Sequence, residues 1–97
     1  NARQNLRTNA ILSAKNISLE LLSTEPGLQI YTGNGLNSGN DKGWGGHSYK
    51  AFAGVALEPQ IWPDSPNQSG FPDPFLSPDE NYKHHTRIKF RNSNNRN

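Results

Sequence analysis

Four stretches of the chain alternate hydrophobic with polar residues, and a period of two is typical of β-strands with one covered face. They are residues 17–22, 28–32, 54–60 and 82–91. In the third stretch Val55 and Leu57 point one way, whereas Ala56, Glu58 and Gln60 point the other. No segment has the spacing of an amphipathic helix and no repeat is present. The pattern predicts an all-β protein of four or five strands, with residues 82–91 forming a half-buried strand.

The segments between these stretches have turn and loop compositions. Residues 33–46 hold six glycines and are expected to form a mobile surface loop, without the spacing of a phosphate-binding loop. Residues 63–78 hold five of the seven prolines, so little regular structure is expected there. Residues 1–16 fit either a strand or a fraying end, and residues 92–97 are expected to be a disordered tail.

Composition limits how much of this fold the chain can stabilise by itself. It has 97 residues, of which 31% are hydrophobic. Ordering each residue costs roughly 1–2 kcal/mol of backbone entropy, whereas apolar burial returns about 25 cal/mol per Å². The chain has no cysteine to form a disulfide. We therefore expect it to be either weakly stable alone or completed by further protein.

Charge and hydropathy exclude some classes of partner. The net charge of +2 is too small to favour nucleic acid, and the basic row Arg87, Lys89 and Arg91 is expected to be a solvated strand edge. No apolar run approaches the roughly 20 residues of a membrane span, so no membrane partner is expected. The absence of cysteine and of a visible leader leaves the compartment unknown, with the cytoplasm favoured. Because the first residue is asparagine and no methionine is present, we expect the native start to lie upstream.

Three sequence motifs go beyond the strand pattern. Residues 54–67 read GVALEPQIWPDSPN, residues 24–34 read TEPGLQIYTGN, and residues 71–74 and 76–82 read FPDP and LSPDENY. Together they resemble, in order and spacing, the late motifs of the aldose 1-epimerase (galactose mutarotase) family. The similarity runs from about Leu19 to Phe90.

The resemblance implies a fold and an activity. The family fold is a large antiparallel β-sandwich, and residues 1–97 would be its C-terminal part, with the upstream part of the domain as a missing partner. The activity would be interconversion of the α and β anomers of a hexose such as galactose or glucose, with no cofactor and no metal.

The resemblance also assigns two site residues. Glu58 would be the general base that takes the proton from the anomeric hydroxyl, and Gln29 would bind sugar hydroxyls through its amide. The family usually has Thr after this Glu, whereas Pro59 follows here. Since proline cannot donate to a ladder, the strand is expected to be an edge or to be bulged at that point.

Other polar and aromatic residues have simpler interpretations. Tyr31 and Trp62 could flank a sugar but are more readily packing residues, and Asn34 and Asp64 are expected to form turns by bonding their own backbone. The adjacent pair His84 and His85 should point to opposite faces of a strand, which argues against a shared metal ion. Neither histidine matches the family's catalytic acid, which is expected upstream of this chain.

Two alternatives to the epimerase stay open on the sequence. One is a non-catalytic carbohydrate-binding β-sandwich module. The other is a relative acting on hexose 6-phosphates, which would need a basic phosphate pocket. Under the favoured interpretation, the isolated chain supplies a base without its acid and is expected to be inactive.

Overall fold

A computed structural model of the chain describes residues 5–92. They form five β-strands and no α-helix, which confirms the all-β prediction. Two short 3₁₀ turns, Trp44–Gly46 and Ser65–Asn67, interrupt the long connections. The strands are β1 (Arg7–Ala14), β2 (Ile17–Ser23), β3 (Gly27–Tyr31), β4 (Ala56–Gln60) and β5 (Thr86–Asn92).

Three of the strands form an antiparallel sheet in the order β1-β2-β5. The central strand β2 places Leu19 between Leu12 and Phe90, and Leu21 between Ala10 and Ile88. Because residues that pair across strands share a face, these positions form one apolar face of the sheet. The alternating residues of segments 17–22 and 82–91 are therefore paired so that aliphatic side chains lie opposite aliphatic or aromatic side chains.

The opposite face of this sheet is polar. Glu20 lies on it between Ile11 and Lys89. Its Oε2 accepts a hydrogen bond of 2.6 Å from Thr8 Oγ1, and its Oε1 lies 3.9 Å from Arg91 Nη2. The sheet is thus amphipathic, with one charged and one apolar side.

The apolar face is largely uncovered by the described residues. Leu21, at 3% exposure, is the hydrophobic side chain that is fully buried among them, while Ile88 and Phe90 are 51% and 66% exposed. The prediction of a half-buried strand at residues 82–91 is therefore wrong for this chain: β5 is exposed along its whole length. It also begins at Thr86, four residues later than expected, and the preceding His85 O accepts a hydrogen bond from Thr24 N in the turn after β2.

The structure adds detail at the chain termini and in the glycine-rich loop. The undecided segment at residues 1–16 contains β1, which is an edge strand with one irregularity between Thr8 and Ala10. Asn92 belongs to β5 rather than to a tail, and residues 93–97 of the predicted tail lie outside the described residues. The loop at 33–46 is tied by backbone hydrogen bonds, among them Ser38 N to Tyr49 O at 2.9 Å.

The chain divides into two compact units. One comprises residues 1–28 and 59–97, and contains the three-stranded sheet. The other comprises residues 29–58. β3 and β4 pair with each other in a separate two-stranded sheet.

Two close backbone approaches fix the register of this two-stranded sheet. A Cβ placed on Gly27 would lie 3.0 Å from Gln60 O, and one placed on Gly33 would lie 2.8 Å from Gly54 O. Gly33 lies six residues after Gly27, and Gly54 lies six residues before Gln60. The strands are therefore antiparallel, and no extra residue enters between these points. Glycine also suits the second position, where φ is +79°.

Candidate active site

Gln29 and Glu58, the two site residues predicted from the sequence, are brought opposite each other by this register. Gln29 is two residues beyond Gly27, and Glu58 is two residues before Gln60. In an antiparallel pair, residues directly opposite have Cβ atoms about 4.5–5.5 Å apart and project from the same face. Both side chains are exposed to solvent in this chain.

A carboxylate and an amide in this arrangement form a short polar platform. The carboxylate can accept hydrogen bonds and take a proton, whereas the amide offers both donors and an acceptor. Side chains that project in parallel from neighbouring strands can reach adjacent groups of one small ligand. The two groups together can form hydrogen bonds with a hydroxyl-bearing molecule, and a carboxylate is a group that can act as a general base.

Pro59, the departure from the expected motif, fits the ladder. It follows Glu58 within β4, and the two-stranded sheet leaves the other side of β4 without a strand partner among the described residues. A missing backbone donor is tolerated on such an edge. The prediction that proline marks an edge strand is confirmed, and no bulge is required between the two close approaches.

The end of β3 is held by hydrogen bonds in the turn that follows it. Gly35 N donates to the Tyr31 hydroxyl at 2.8 Å, and Leu36 N donates to Gly33 O at 3.0 Å. Phe52 N also donates to Gly33 O, at 2.9 Å. Asn34 lies in this turn, as predicted. Tyr31 therefore acts as a structural support for the turn, in keeping with the packing interpretation.

Trp62 and Asp64 stabilise the chain that leaves β4. Trp62 Nε1 donates to Pro26 O at 3.2 Å, and its ring meets Phe71 edge to face at 5.0 Å between centroids. Asp64 has φ of +64° and accepts hydrogen bonds from Gln68 Nε2 at 2.8 Å and Asn67 Nδ2 at 2.6 Å. The hydrogen bond from Gln68, followed by that from Asn67, lowers the pKa of Asp64. Trp62 thus packs as expected, whereas the Asp64 carboxylate bonds the side chains of Asn67 and Gln68 rather than the backbone predicted for it.

A buried polar cluster was missed by the sequence reasoning. Glu25 is 2% exposed, and the Tyr82 hydroxyl donates to its Oε1 at 2.7 Å. His84 Nδ1 lies 3.5 Å from the same oxygen. The available signal was the position of Glu25 within the TEPGLQIYTGN motif, directly before the Pro–Gly turn.

The histidines do not gather around a common point. His84 joins the Glu25 cluster, whereas the backbone N–H of His85 donates to Thr24 Oγ1 at 3.1 Å. Within residues 5–92 no group of three His, Asp or Glu side chains is placed to hold a metal ion. In the same range, no helix has the length and apolar character that crossing a membrane would require.

The described residues form an all-β fold, and a carboxylate and an amide lie opposite each other on the β3–β4 ladder. A family model described as aldose 1-epimerase matches residues 4–89, and the chain belongs to that family. The resemblance inferred from the three motifs is confirmed.

Individual relatives agree with this assignment. The chain is 50% identical over 72 residues to galactose mutarotase of Mus musculus and 49% identical over 72 residues to that of Homo sapiens, which in each case covers 74% of this chain and 21% of the relative. It is 40% identical over 76 residues to aldose 1-epimerase of Escherichia coli (strain K12), covering 76% of this chain and 21% of the relative. The chain thus matches about a fifth of the length of these relatives.

Proposed function

We propose that this chain supplies the general base and a sugar-binding amide to an aldose 1-epimerase that interconverts the α and β anomers of a hexose such as galactose or glucose. Glu58 is the base and Gln29 is the binding residue. The observation that carries the proposal is their cross-strand pairing, which puts a carboxylate and an amide on one face of the β3–β4 ladder. The names of the relatives, galactose mutarotase and aldose 1-epimerase, support the same chemistry.

The reaction requires two proton transfers. Glu58 takes the proton of the anomeric hydroxyl, the bond between C1 and the ring oxygen breaks, and C1 becomes an aldehyde. The ring oxygen receives a proton from a general acid at the same time. Rotation about the C1–C2 bond and the reverse transfers close the ring on the other face, so both groups return to their starting protonation states.

In this proposal, the general acid and further sugar-binding residues belong to the part of the domain outside this chain. The match to only 21% of the relatives' length supports this division, as does the uncovered apolar face of the three-stranded sheet. Residues 1–97 then form the C-terminal part of one β-sandwich domain, and the upstream part is their natural partner.

Substrate and location complete the proposal. A free monosaccharide is the substrate, the cytoplasm is the compartment, and neither nucleic acid nor membrane is a partner. The relatives' names favour an enzyme over a non-catalytic sugar-binding module.

The test uses the complete domain and compares it with its Glu58→Gln variant by polarimetry on fresh α-D-galactose and α-D-glucose. Removing a general base typically costs about 10²–10⁴-fold in rate, and we expect a loss of that size in kcat. Glu80→Gln is the matched control, since Glu80 is also exposed and its remaining oxygen can still accept from Ser77 N. A Glu58→Gln domain that keeps the full rate would remove Glu58 from the mechanism.

A further inference from the structure

Glu25 is a buried carboxylate that the proposed mechanism does not use. It lies in the turn between β2 and β3 and is 2% exposed. Its Oε1 accepts from the Tyr82 hydroxyl at 2.7 Å, and His84 Nδ1 lies 3.5 Å away. Burying a carboxylate is unfavourable unless hydrogen bonds replace its water, so the partners from the segment before β5 are needed to keep it inside.

The hydrogen bonds around Glu25 form a continuous chain. The Tyr82 hydroxyl donates to Glu25, and its oxygen lies 3.3 Å from His84 Nδ1. His84 Nε2 lies 2.8 Å from Thr86 Oγ1. Hydrogen-bonding side chains therefore connect the first residue of β5 to Glu25.

The main chain beside Glu25 is also fixed. Thr24 N donates to His85 O and His85 N donates to Thr24 Oγ1, each at 3.1 Å. Glu25 N donates to Ser23 Oγ at 3.1 Å, and Asn9 Nδ2 donates to Glu25 O at 3.4 Å. The residues on both sides of the carboxylate therefore have little freedom at the point where β3 is about to begin.

We propose that Glu25 is a positioning residue for sugar binding, which sets the start of β3 and through it the placement of Gln29. A Pro–Gly turn needs no buried acid to form, since Pro26 presets φ. The burial of Glu25 instead fixes where the turn lies against the segment that leads into β5. All of these contacts lie within residues 5–28 and 59–92, and the link to Gln29, four residues after Glu25, is the strand itself. This inference rests on the proposed role of Gln29.

A double-mutant cycle in the complete domain tests the link. Glu25→Ala is expected to raise KM for galactose about five- to tenfold, the loss that corresponds to roughly one hydrogen bond, with a smaller effect on kcat. In a Gln29→Ala background the same change should leave KM unaltered, because its effect passes through Gln29. Glu25→Gln keeps an oxygen for Tyr82 and should restore most of the affinity. Equal KM increases in both backgrounds would overturn the proposal.

A second readout does not depend on catalysis. The side-chain amide of Gln29 gives a proton–nitrogen NMR signal, which Glu25→Ala should shift in the absence of sugar. Leu21→Val is the control, since it weakens the core of the same unit without touching the turn. It should lower Tm and leave both KM and the Gln29 signal unchanged. An unmoved Gln29 signal in Glu25→Ala would refute the positioning role of Glu25 even if Glu58 proves to be the base. A shifted signal in a domain without mutarotase activity would support the positioning role and reject the proposed function.

Discussion

The three-stranded sheet and the β3–β4 ladder both alternate residues between two faces, but the faces carry different kinds of side chain. In the sheet, alternation separates an apolar face carrying Leu19 and Leu21 from a charged face carrying Glu20. In the ladder, it puts the polar pair Gln29 and Glu58 on one face, and the hydrophobic Ile30 and Val55 are 55% and 45% exposed. The sheet is thus organised around packing, whereas the ladder presents an exposed carboxylate and an exposed amide.

Both regions nevertheless have a face that the described residues leave exposed to solvent. The apolar face of the sheet has Phe90 66% exposed, and Glu58 on the ladder is exposed as well. A face suited to packing and a face suited to chemistry are each open in this chain. The difference between them teaches that alternation predicts the two sides of a strand but not which side receives a partner.

The largest expected effect is the loss of function in the isolated chain. Residues 1–97 expressed alone should not accelerate mutarotation over buffer, because the base has no acid and the apolar face has no cover. Circular dichroism during heating should show no cooperative transition, and gel filtration should show association. A monomer that unfolds cooperatively and catalyses mutarotation would show that neither region needs a partner, and would make His84 and His85 the first candidates for the acid.

Gly27→Ala should disturb the ladder at its start. A Cβ there would lie 2.7 Å from Trp62 Cδ1 and 3.0 Å from Gln60 O, so either the strand or the indole must move and weaken the bond from Trp62 to Pro26 O. We expect a destabilisation of the complete domain of about 1–3 kcal/mol, measured by urea unfolding. Gly70→Ala is the control, since a Cβ at that position would meet nothing within 4 Å. Equal stabilities for the two variants would contradict the close approach of Gly27 to Gln60 and the strand register that follows from it.

Gln29→Ala should separate binding from chemistry on the ladder. Because the amide would contact sugar hydroxyls in both ground and transition states, KM should rise about tenfold while kcat falls far less than in Glu58→Gln. Initial rates of mutarotation over a range of galactose concentrations give both constants. Ser38→Ala, in the loop of the same unit, is a suitable control. An unchanged KM would make Gln29 a structural residue.

Asp64 should give the smallest effect and concerns structure alone. Its pKa is lowered below 3.8, first by the hydrogen bond from Gln68 and then by that from Asn67. A lowered folded-state pKa stabilises the fold above the unfolded value and loses that contribution as pH falls through the folded value. Carboxyl carbon NMR should therefore place the Asp64 midpoint below 3.8, and Gln68→Ala should move it upwards. A midpoint that Gln68→Ala does not change would reject this cause.

The sequence predicted four of the five strands and the family, because both depend on local information. Period-two alternation indicated β2, β3, β4 and β5, and the motifs around Gln29 and Glu58 identified the family before any pairing was known. Exposure could not be predicted in the same way. Whether Ile88 is covered depends on residues distant in sequence, and alternation looks identical in both cases.

The Glu25 cluster was beyond the reach of the sequence for a related reason. Its partner Tyr82 is 57 residues away, and its burial follows from the pairing of β2 with β5. An acidic residue before a Pro–Gly turn is normally read as exposed, since turns lie on the surface. Here the pairing of distant segments buries Glu25, so its burial could be found only from the three-dimensional structure.

The irregularity in β1 has an evolutionary consequence. Thr8 pairs with Leu22 and Ala10 with Leu21, so Asn9 is one extra residue on an edge strand. Its amide group accepts from Ser23 Oγ and donates to Glu25 O. An insertion at an edge disturbs one neighbour only and so is easily accepted by the sheet. A homologue with a one-residue gap at this position can therefore keep all three strands in register while losing the asparagine that holds the turn, so the length of β1 and the support of that turn can change together in a single step.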